Sequence, residues 1–320
     1  MGGTFSAQLT QYWPPKPKWW QNDIPDLTGR VMVVTGGKSG VGKETVKALL
    51  QHNAKVYLAA RGKEDAEKVI KELKTITGKE AIFLELDLAS LPSVRKAAEE
   101  FLSKEPDLHV LFNNAGLMWP SLDLLTEQGY DAQWGVHVVE GTHLFATLLM
   151  PALLAGTKSS KDGKARIVTT SSSGAYLDHI HWDTFVPGPA RTKLGTNGLY
   201  CQSKFAQVAW TQELVRRYGD KNILCLALNP GNVRSGLQRH QSALLLFFVK
   251  MVLNPVDPYG PLTQLYGGTS PDCLHKDGAF LIPWAREGLI PPGTTDPALG
   301  AKLWEYLENE VKTKGVAHNN

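Results

Sequence analysis

The 320-residue chain has an ordinary globular composition, with 42% hydrophobic and 20% charged residues, which excludes a disordered or fibrous protein. Its net charge is only +3, and no basic block is interleaved with aromatic residues, so a nucleic-acid partner is not expected. Three widely spaced cysteines, Cys201, Cys225 and Cys273, form no CxxC pair. They indicate reduced, mostly buried thiols of a cytoplasmic protein.

The first 28 residues are interpreted as an extension ahead of one domain at residues 29–320. The segment WPPKPKWW, residues 13–20, cannot be helical because proline fixes φ and lacks a backbone N–H. We expect its tryptophans to fasten the extension to the domain, with contact to a membrane surface as the alternative. The N-terminus MGGTFS fits the myristoylation pattern at Gly2, and an unmodified polar terminus is the other interpretation.

From Arg30 onward, short apolar runs alternate with longer amphipathic stretches. β-Branched runs bounded by polar residues or glycine are typical of buried strands, and strands that alternate with helices predict right-handed βαβ units in a parallel sheet. The sequence therefore predicts one α/β domain with a doubly wound parallel sheet, a Rossmann fold. The six predicted strands are VMVVTG, AKVYLAA, AIFLELD, LHVLFNNAG, ARIVTTSS and NILCLALNPG.

The loop TGGKSGVGKE, residues 35–44, follows the first strand and opens a helix, so it is a candidate phosphate-binding loop. Gly37-x-x-x-x-Gly42-Lys43 nearly matches the loop of ATPases and GTPases, which requires Ser or Thr after the lysine to bind magnesium. Glu44 stands there instead. A carboxylate would repel phosphate, and the hydroxyl ligand is missing, which argues against a nucleotide triphosphatase.

The same loop also has the glycine spacing of a dinucleotide-binding turn. Gly36 and Gly40 would let the backbone approach a pyrophosphate at the helix N-terminus, and Gly42 would let the helix pack closely on the strand. The second strand ends at Arg61 rather than at an acidic residue. With Lys38, this cation suits a ribose 2′-phosphate. We therefore expect NADP(H) rather than NAD(H), while a solvated surface arginine is the alternative.

Tyr200 and Lys204 stand four residues apart in GLYCQSKF, on a helix expected to begin near Gly198. That spacing places both side chains on one helix face, where an ammonium group would lower the pKa of the phenol from about 10. Such a pair alone is common on ordinary helices. Here it follows the hydroxyl-rich strand end IVTTSSSG, which gives the pair more weight as an acid–base site.

Together with TGGKSGVG and NNAG, these motifs make the chain resemble the short-chain dehydrogenase/reductase family from about Leu27 to the C-terminal region. FLIPWAR and GLYCQSKF resemble fungal members of its retinol-dehydrogenase-like branch. The resemblance implies that Tyr200 exchanges the proton, Lys204 holds the nicotinamide ribose and Ser172 holds the substrate, with Ser171 or Ser173 as alternatives. The implied cofactor-binding residues are Gly36, Lys38, Ser39, Gly40, Val41, Gly42, Arg61, Asp87, Leu88, Asn114, Ala115, Gly116, Tyr200, Lys204, Pro230, Gly231 and Val233.

One position departs from the family pattern. The resemblance implies an asparagine on the preceding helix, in N-x-x-G, that holds a proton-relaying water largely through its backbone carbonyl. This chain has His137 there, in WGVHVVEGTHLF, with one residue inserted before Gly141. His137 keeps a carbonyl group and is counted among the catalytic candidates. The change also motivates a rival interpretation, a catalytically impaired NADP(H)-binding sensor or scaffold.

The substrate side is predicted to be apolar. Residues 233–260 include SALLLFFVKMVL, from Ser242 to Leu253, too short to span a bilayer and interpreted either as a substrate lid or as a buried helix. Met118 and Trp119 are expected beside it. His179 and His181 have no matching ligand set in the sequence, so no metal is expected. We therefore predict an NADPH-dependent oxidoreductase of apolar aldehydes, ketones or alcohols, either a monomer or a homodimer, cytoplasmic or in peripheral contact with a membrane.

Overall fold

The computed structural model describes residues 8–234 and 253–316. Their strands form one eight-stranded sheet in the order β3-β2-β1-β4-β5-β6-β7-β8. The first seven strands are parallel, and β8 pairs antiparallel with β7. The strands are β1 Val31–Thr35, β2 Lys55–Ala60, β3 Ile82–Glu85, β4 Val110–Asn113, β5 Ala165–Thr170, β6 Ile223–Leu228, β7 Phe280–Ile282 and β8 Arg286–Gly288.

The six predicted strands are confirmed, and so is the doubly wound parallel sheet. The central strands are buried along their whole length, as in VMVVT of β1 and ILCLAL of β6, because helices cover both faces of a parallel sheet. The chain order reverses between β1 and β4. In open α/β sheets this switch point opens a crevice at the carboxyl ends of the strands, and the candidate site lies there.

Helices pack on both faces of the sheet and divide the apolar core into two large clusters. α1, α2 and α6 contribute to one cluster, and α3, α4, α5 and α7 to the other. The helices are α1 Gly40–Gln51, α2 Lys63–Thr77, α3 Leu91–Lys104, α4 Ala132–Ser159, α5 Pro189–Tyr218, α6 Val256–Thr269 and α7 Pro297–Val316.

α4 contains a π-helical stretch, Gly135–Leu144, between α-helical ends. At its end, the N–H of Phe145 donates to the Glu140 carbonyl, five residues back. Gly141 lies inside the stretch, where an added Cβ would overlap the Val136 carbonyl. The residue inserted before Gly141 is therefore accommodated as a wider helical turn, the usual form of a π-bulge. By length and composition alone α4 could cross a membrane, but 72% of its apolar window is buried in the fold.

The catalytic-candidate helix α5 begins earlier than predicted, at Pro189 rather than near Gly198. Gly195, with φ of 70°, interrupts its helical geometry, so the part that carries Tyr200 starts just after this kink. The structure also has two strands that the sequence patterns did not predict. β7 and β8 are only three residues long, too short to show a hydrophobic periodicity.

The described part of the N-terminal extension packs on the domain through its aromatic side chains. Residues 13–20 are not helical. Trp19 is buried with its ring centroid 5.5 Å from that of Tyr266, and the Trp20 ring lies 5.8 Å from that of Tyr259. Both partners belong to α6. The predicted lid sequence is described only at residues 233–234 and 253–260, where Val233 forms a bridge with Asn254; residues 235–252 lie outside the described residues.

Candidate active site

A cleft of about 400 Å³ opens at the carboxyl ends of β1, β2, β3 and β4. It gathers the first twelve of the predicted cofactor-binding residues, from Gly36 to Gly116. Apolar side chains complete its wall, among them Leu117, Leu125 and Val136. A second cleft of about 410 Å³ has the charged lining residues Asp26, Arg30, Lys161, Asp162 and Arg166. Asp162 lies 3.0 Å from Arg30 and 3.1 Å from Arg166, so these charged side chains are paired with one another.

The loop between β1 and α1 has the conformation that a dinucleotide turn requires. Gly36 and Gly40 have φ of 69° and 54°, in the left-handed region that favours glycine. A Cβ on Gly42 would overlap the Gly36 carbonyl. Ser39 is the N-cap residue of α1, and its hydroxyl makes no capping bond. The first N–H groups of the helix thus face the cleft with the partial positive charge that attracts phosphate.

Thr35 joins this loop to the strand end of β4. Its hydroxyl accepts hydrogen bonds from the backbone N–H groups of Asn114 and Ala115, at 3.0 and 2.9 Å. The Asn114 side chain donates to the Thr35 carbonyl at 2.7 Å. These hydrogen bonds hold the β1–α1 loop and the loop after β4 together as the rigid floor of the cleft.

The charged residues after the loop do not form a triphosphatase site. The Lys43 ammonium lies 2.7 Å from Glu72 of α2, and Glu44 pairs with Lys47 one turn along α1. A phosphate-loop lysine must instead reach the β- and γ-phosphates. The geometry agrees with the sequence argument against an ATPase or GTPase.

Arg61 and Lys38 lie together in the lining of the cleft, at the carboxyl end of β2. The Lys38 ammonium donates to the Arg61 carbonyl at 2.7 Å, and the Arg61 side chain is 67% exposed. The Arg61 guanidinium is 3.7 Å from Asp87, a loose contact that a phosphate could replace. This arrangement leaves two cations at the mouth of the cleft.

Ser172 and Tyr200 meet beyond the inner end of this cleft. Burial raises the pKa of Tyr200 to about 12, and a hydrogen bond with Ser172 opposes that rise. The Ser171 hydroxyl points elsewhere, donating to the Lys204 carbonyl at 2.7 Å. Ser173 begins a short 3₁₀ turn, Ser173–Tyr176. Of the three serines left open by the sequence, Ser172 is the one whose hydroxyl contacts the tyrosine.

Lys204 lies beside Tyr200, with its ammonium 5.6 Å from the centre of the phenol ring. Burial lowers the pKa of Lys204 to about 7, so near neutrality this lysine is only partly cationic. The sequence suggested that Lys204 would lower the pKa of Tyr200; in the structure that pKa is raised instead, because burial is the largest influence on both groups. Lys204 donates to the Thr170 carbonyl at 3.0 Å and to Gln207 Oε1 at 2.9 Å.

His137 lies directly under the NNAG loop. Its Nε2 accepts from the Leu117 N–H at 3.0 Å, and a Cβ on Gly116 would be 3.0 Å from the same nitrogen. Burial, and secondarily the nearby Lys204, lowers the pKa of His137 well below its usual range. The imidazole is thus neutral and holds the NNAG loop through this hydrogen bond. The backbone carbonyl of His137 accepts from Gln207 Nε2 at 3.0 Å.

The remaining predicted residues border the tyrosine and the end of β6. The Trp119 ring is edge-on to Tyr200, with centroids 6.5 Å apart. Gly231 has φ of 92°, and a Cβ there would press on Pro283 and Trp284. Pro230 precedes it in the same turn, and Val233 is buried.

His179 and His181 lie with Asp178 in the loop before α5. Their ligand atoms are within 4.8 Å of one another, which the sequence spacing alone did not suggest. Asp178 already pairs with His181 at 2.7 Å, and the His179 side chain is 71% exposed. These contacts describe a hydrogen-bonded loop, and we assign it no ligand.

Sequence reasoning missed two polar residues that organise the site. Gln207 bridges Lys204 to His137, and Thr35 fastens the floor of the cleft. Gln207 follows Lys204 by three residues, one helical turn, so its position on the catalytic face could have been found from the helix period. The partner of Thr35, seventy-nine residues away, becomes apparent only when β1 and β4 are known to be neighbours.

Comparison with known proteins decides the family. The family model described as short chain dehydrogenase matches residues 30–186. A short-chain dehydrogenase/reductase of Armillaria gallica is 54% identical over 98% of this chain and 99% of its own length. This chain belongs to the short-chain dehydrogenase/reductase family. The fungal resemblance seen in the sequence is thereby confirmed.

Two further likenesses refine the family assignment. Human retinol dehydrogenase 11 is 40% identical over 70% of this chain and 69% of its own length, in agreement with a retinol-dehydrogenase-like branch. A solved RhlG/NADP active-site complex from Pseudomonas aeruginosa has a TM-score of 0.64 at 21% identity, covering 81% of this chain and 96% of that one, and shows the same fold. The short-chain dehydrogenase/reductase described here is thus an oxidoreductase of a family that binds nicotinamide cofactors and acts on CH–OH groups of small molecules.

The residues of the cleft fit such a cofactor. The Gly36, Gly40 and Gly42 cradle would be filled by any Cβ or strained by it, and the N-terminus of α1 faces the same space. The buried ammonium of Lys204 and the Ser172–Tyr200 pair follow along the strand ends. A dinucleotide with its pyrophosphate at the glycine loop and its nicotinamide ring near Tyr200 would span this arrangement.

Proposed function

We propose that this short-chain dehydrogenase/reductase is NADPH-dependent and interconverts apolar aldehydes or ketones with their alcohols. The observation that carries the proposal is the Ser172–Tyr200 contact, with Lys204 beside it, next to the dinucleotide-type cleft. In this role, dihydronicotinamide supplies the hydride. Tyr200 donates the proton to the carbonyl oxygen, or accepts it from the alcohol in the reverse direction.

Each residue of the group has a separate task in this proposal. The Ser172 hydroxyl polarises the substrate oxygen and stabilises charge that develops on it. Lys204 holds the nicotinamide ribose. Tyr200 is protonated across the neutral range because its pKa is about 12, so it is ready as an acid for carbonyl reduction. His137 holds the Leu117 N–H and with it the loop beneath the ring.

The preference for NADPH rests on charge. Arg61 and Lys38 are two adjacent cations suited to a ribose 2′-phosphate, and among the described residues the Arg61 guanidinium has a loose 3.7 Å contact with Asp87. Phosphate recognition by a guanidinium is a charge-assisted, often bidentate interaction. The RhlG complex named above also holds NADP.

The apolar substrate class rests on the surroundings of the tyrosine. The Trp119 and Tyr200 rings make a T-shaped contact, and the sequence includes an apolar segment at residues 242–253. Peripheral contact with a membrane, where such substrates accumulate, is supported by Tyr12 and Trp13, which are 38% and 67% exposed. Exposed aromatic rings of this kind are typical of membrane interfaces.

The test follows absorbance at 340 nm while the protein is incubated with NADPH and a panel of apolar aldehydes and ketones. NADH and Tyr200→Phe are the controls. We expect NADPH consumption that falls by roughly 10²–10⁴-fold in the mutant, as for loss of a general acid, with cofactor affinity retained. NADPH binding without consumption across the panel would contradict the proposal and favour the sensor or scaffold interpretation.

A further inference from the structure

The Gln207 side chain joins the catalytic helix α5 to the π-helical stretch of α4. Its Oε1 accepts from the Lys204 ammonium at 2.9 Å, while its Nε2 donates to the His137 carbonyl at 3.0 Å and lies 3.2 Å from Thr142 Oγ1. Thr142 in turn donates to the same His137 carbonyl. Gln207 is 1% exposed, so these contacts fix its carboxamide in a single orientation.

That orientation determines which end of the amide faces Lys204. A carboxamide has an acceptor and a donor end. The His137 carbonyl can only accept, so the Nε2 end must face it and the Oε1 end must face Lys204. The Lys204 ammonium thereby gains a second acceptor beside the Thr170 carbonyl. Within the described residues, the titratable side chains that face Lys204 are the neutral His137 ring and the Tyr200 phenol, and burial is what shifts its pKa.

We infer that Gln207 is a positioning residue for the reaction, which orients the Lys204 ammonium toward the cofactor and sustains its positive charge. The inference rests on the proposed function, in which Lys204 holds the nicotinamide ribose. In a buried site, each hydrogen bond to a cation stabilises its charged form. Without the Gln207 acceptor, Lys204 would lose its proton at lower pH and would be free to leave the ribose.

The inference also assigns a use to the π-helical stretch. His137 and Thr142 are five residues apart, and the Thr142 hydroxyl reaches the His137 carbonyl across one wide turn. Gln207 contacts both groups. The widened turn therefore sets the position of the amide, and through the amide the position of Lys204.

The experiment measures NADPH affinity by fluorescence titration from pH 5 to 9, a range that brackets the Lys204 pKa of about 7. Gln207→Met keeps the length of the side chain but removes both the acceptor toward Lys204 and the donor toward His137, whereas Gln207→Glu loses the donor but keeps an acceptor, now a carboxylate, toward Lys204. The matched control is Gln212→Met on the same helix, whose buried amide donates to the Gly278 carbonyl at 2.6 Å, away from the site. NADPH serves as the probe, so no substrate needs to be known.

We expect wild-type affinity to fall on the alkaline side as Lys204 deprotonates. The midpoint should move down by about one pH unit in Gln207→Met and up in Gln207→Glu, since the acceptor stabilises the cation by hydrogen bonding and the carboxylate adds opposite charge. Gln212→Met should leave it unchanged. Shifts of the pH midpoint in opposite directions would show that Gln207 acts on the charge of Lys204. A purely structural loss would weaken binding without moving the midpoint in this way.

Midpoints that stay at the wild-type value in both Gln207 variants would overturn the inference. If Gln207→Met does not fold, the upward shift in Gln207→Glu alone decides. The proposed function fails separately, if wild-type protein binds NADPH yet turns over no carbonyl; the binding titration still tests Gln207 in that case. Wild-type protein that binds no NADPH would contradict both.

Discussion

His137 Nδ1 lies 2.8 Å from Ser203 Oγ, a contact that joins the π-helical stretch of α4 to helix α5, which carries Tyr200. The Ser203 hydroxyl itself donates to the Tyr200 carbonyl at 2.7 Å, so Nδ1 must be the donor in this contact. Nε2 is then free of its proton and can accept from the Leu117 N–H. The neighbours thus select one tautomer of a neutral imidazole.

His137→Phe should weaken NADPH binding as well as stability. Phenylalanine fills the space of the ring but leaves the Leu117 N–H without its acceptor, at a cost of about 1–3 kcal/mol, and releases the loop that lines the cofactor cleft. Urea denaturation and NADPH titration measure the two effects. His143→Phe is the matched control, because His143 is buried on the same helix and accepts from Trp210 Nε1 at 3.2 Å, away from the cleft. An equal loss of NADPH affinity in both variants would contradict this role of His137.

Arg61→Ala should weaken NADPH binding about tenfold, equivalent to about 1.4 kcal/mol, and leave NADH binding unchanged. The reason is the loss of a cation opposite the 2′-phosphate, a group that NADH lacks. Isothermal titration with each cofactor provides the comparison. Lys68→Ala is the control, since Lys68 is 75% exposed on α2 and pairs with Asp65. Equal weakening of both cofactors by Arg61→Ala would argue against 2′-phosphate recognition.

Gly42→Ala should abolish detectable NADPH binding and destabilise the fold by about 1–3 kcal/mol, as overpacking in a rigid interior does. The new methyl group would meet the Gly36 carbonyl and the Asn114 amide, two fixed groups of the cleft floor. Fluorescence titration and thermal unfolding would measure the effects. Gly188→Ala is the harmless counterpart, because Gly188 has an extended φ of 168° and nothing within 4 Å of the added Cβ. Normal binding by Gly42→Ala would show that the loop can move to admit a side chain.

The buried carboxyl group of Glu140 should make the free energy of unfolding decrease as the pH rises. Burial raises the pKa of its carboxyl from 4.5 to about 8, against weaker lowering interactions with the backbone and Thr126. The group is therefore protonated in the folded chain at pH values where the unfolded chain is ionised. The stabilisation that Glu140 contributes is complete below pH 4.5 and is lost progressively between pH 4.5 and about pH 8. Over that range the free energy of unfolding falls by at most about 1.4 kcal/mol per pH unit.

Urea denaturation of wild type and Glu140→Gln at intervals from pH 5 to 8 tests this dependence. The variant cannot ionise, so its stability relative to wild type should increase steadily with pH. Glu67→Gln, with a side chain 48% exposed on α2, should run parallel to wild type. Parallel curves for Glu140→Gln would mean that Glu140 ionises normally in the folded state.

Local patterns predicted much of this architecture. Apolar runs indicated the six longer strands because a parallel sheet buries both faces of each strand, and glycine spacing indicated the β1–α1 turn because only glycine fits it. The family resemblance correctly identified the short-chain dehydrogenase/reductases. The three-residue strands β7 and β8 left no such pattern, since pairing of β7 with β6 and of β8 with β7, rather than intrinsic preference, defines them.

The electrostatics of the site could not be predicted in the same way. A pattern of Tyr200 and Lys204 suggested a depressed tyrosine pKa, yet burial raises it. The depth at which the pair is buried depends on helices far apart in the chain. The bridge through Gln207 likewise requires α4 and α5 to be in contact, a long-range relationship that neither helix shows alone.

In an α-helix each residue turns the chain by about 100°, so one additional residue would rotate everything after it away from the sheet. The π-helical stretch of α4 absorbs that rotation within a few turns. Phe145, Leu149 and Leu153, downstream of it, remain fully buried. In an alignment with relatives that have an unbroken α-helix here, the residue numbers before and after the π-helical stretch would differ from those of the relative by amounts that are one residue apart. A one-residue gap placed outside 135–144 would assign the wrong faces to the intervening positions.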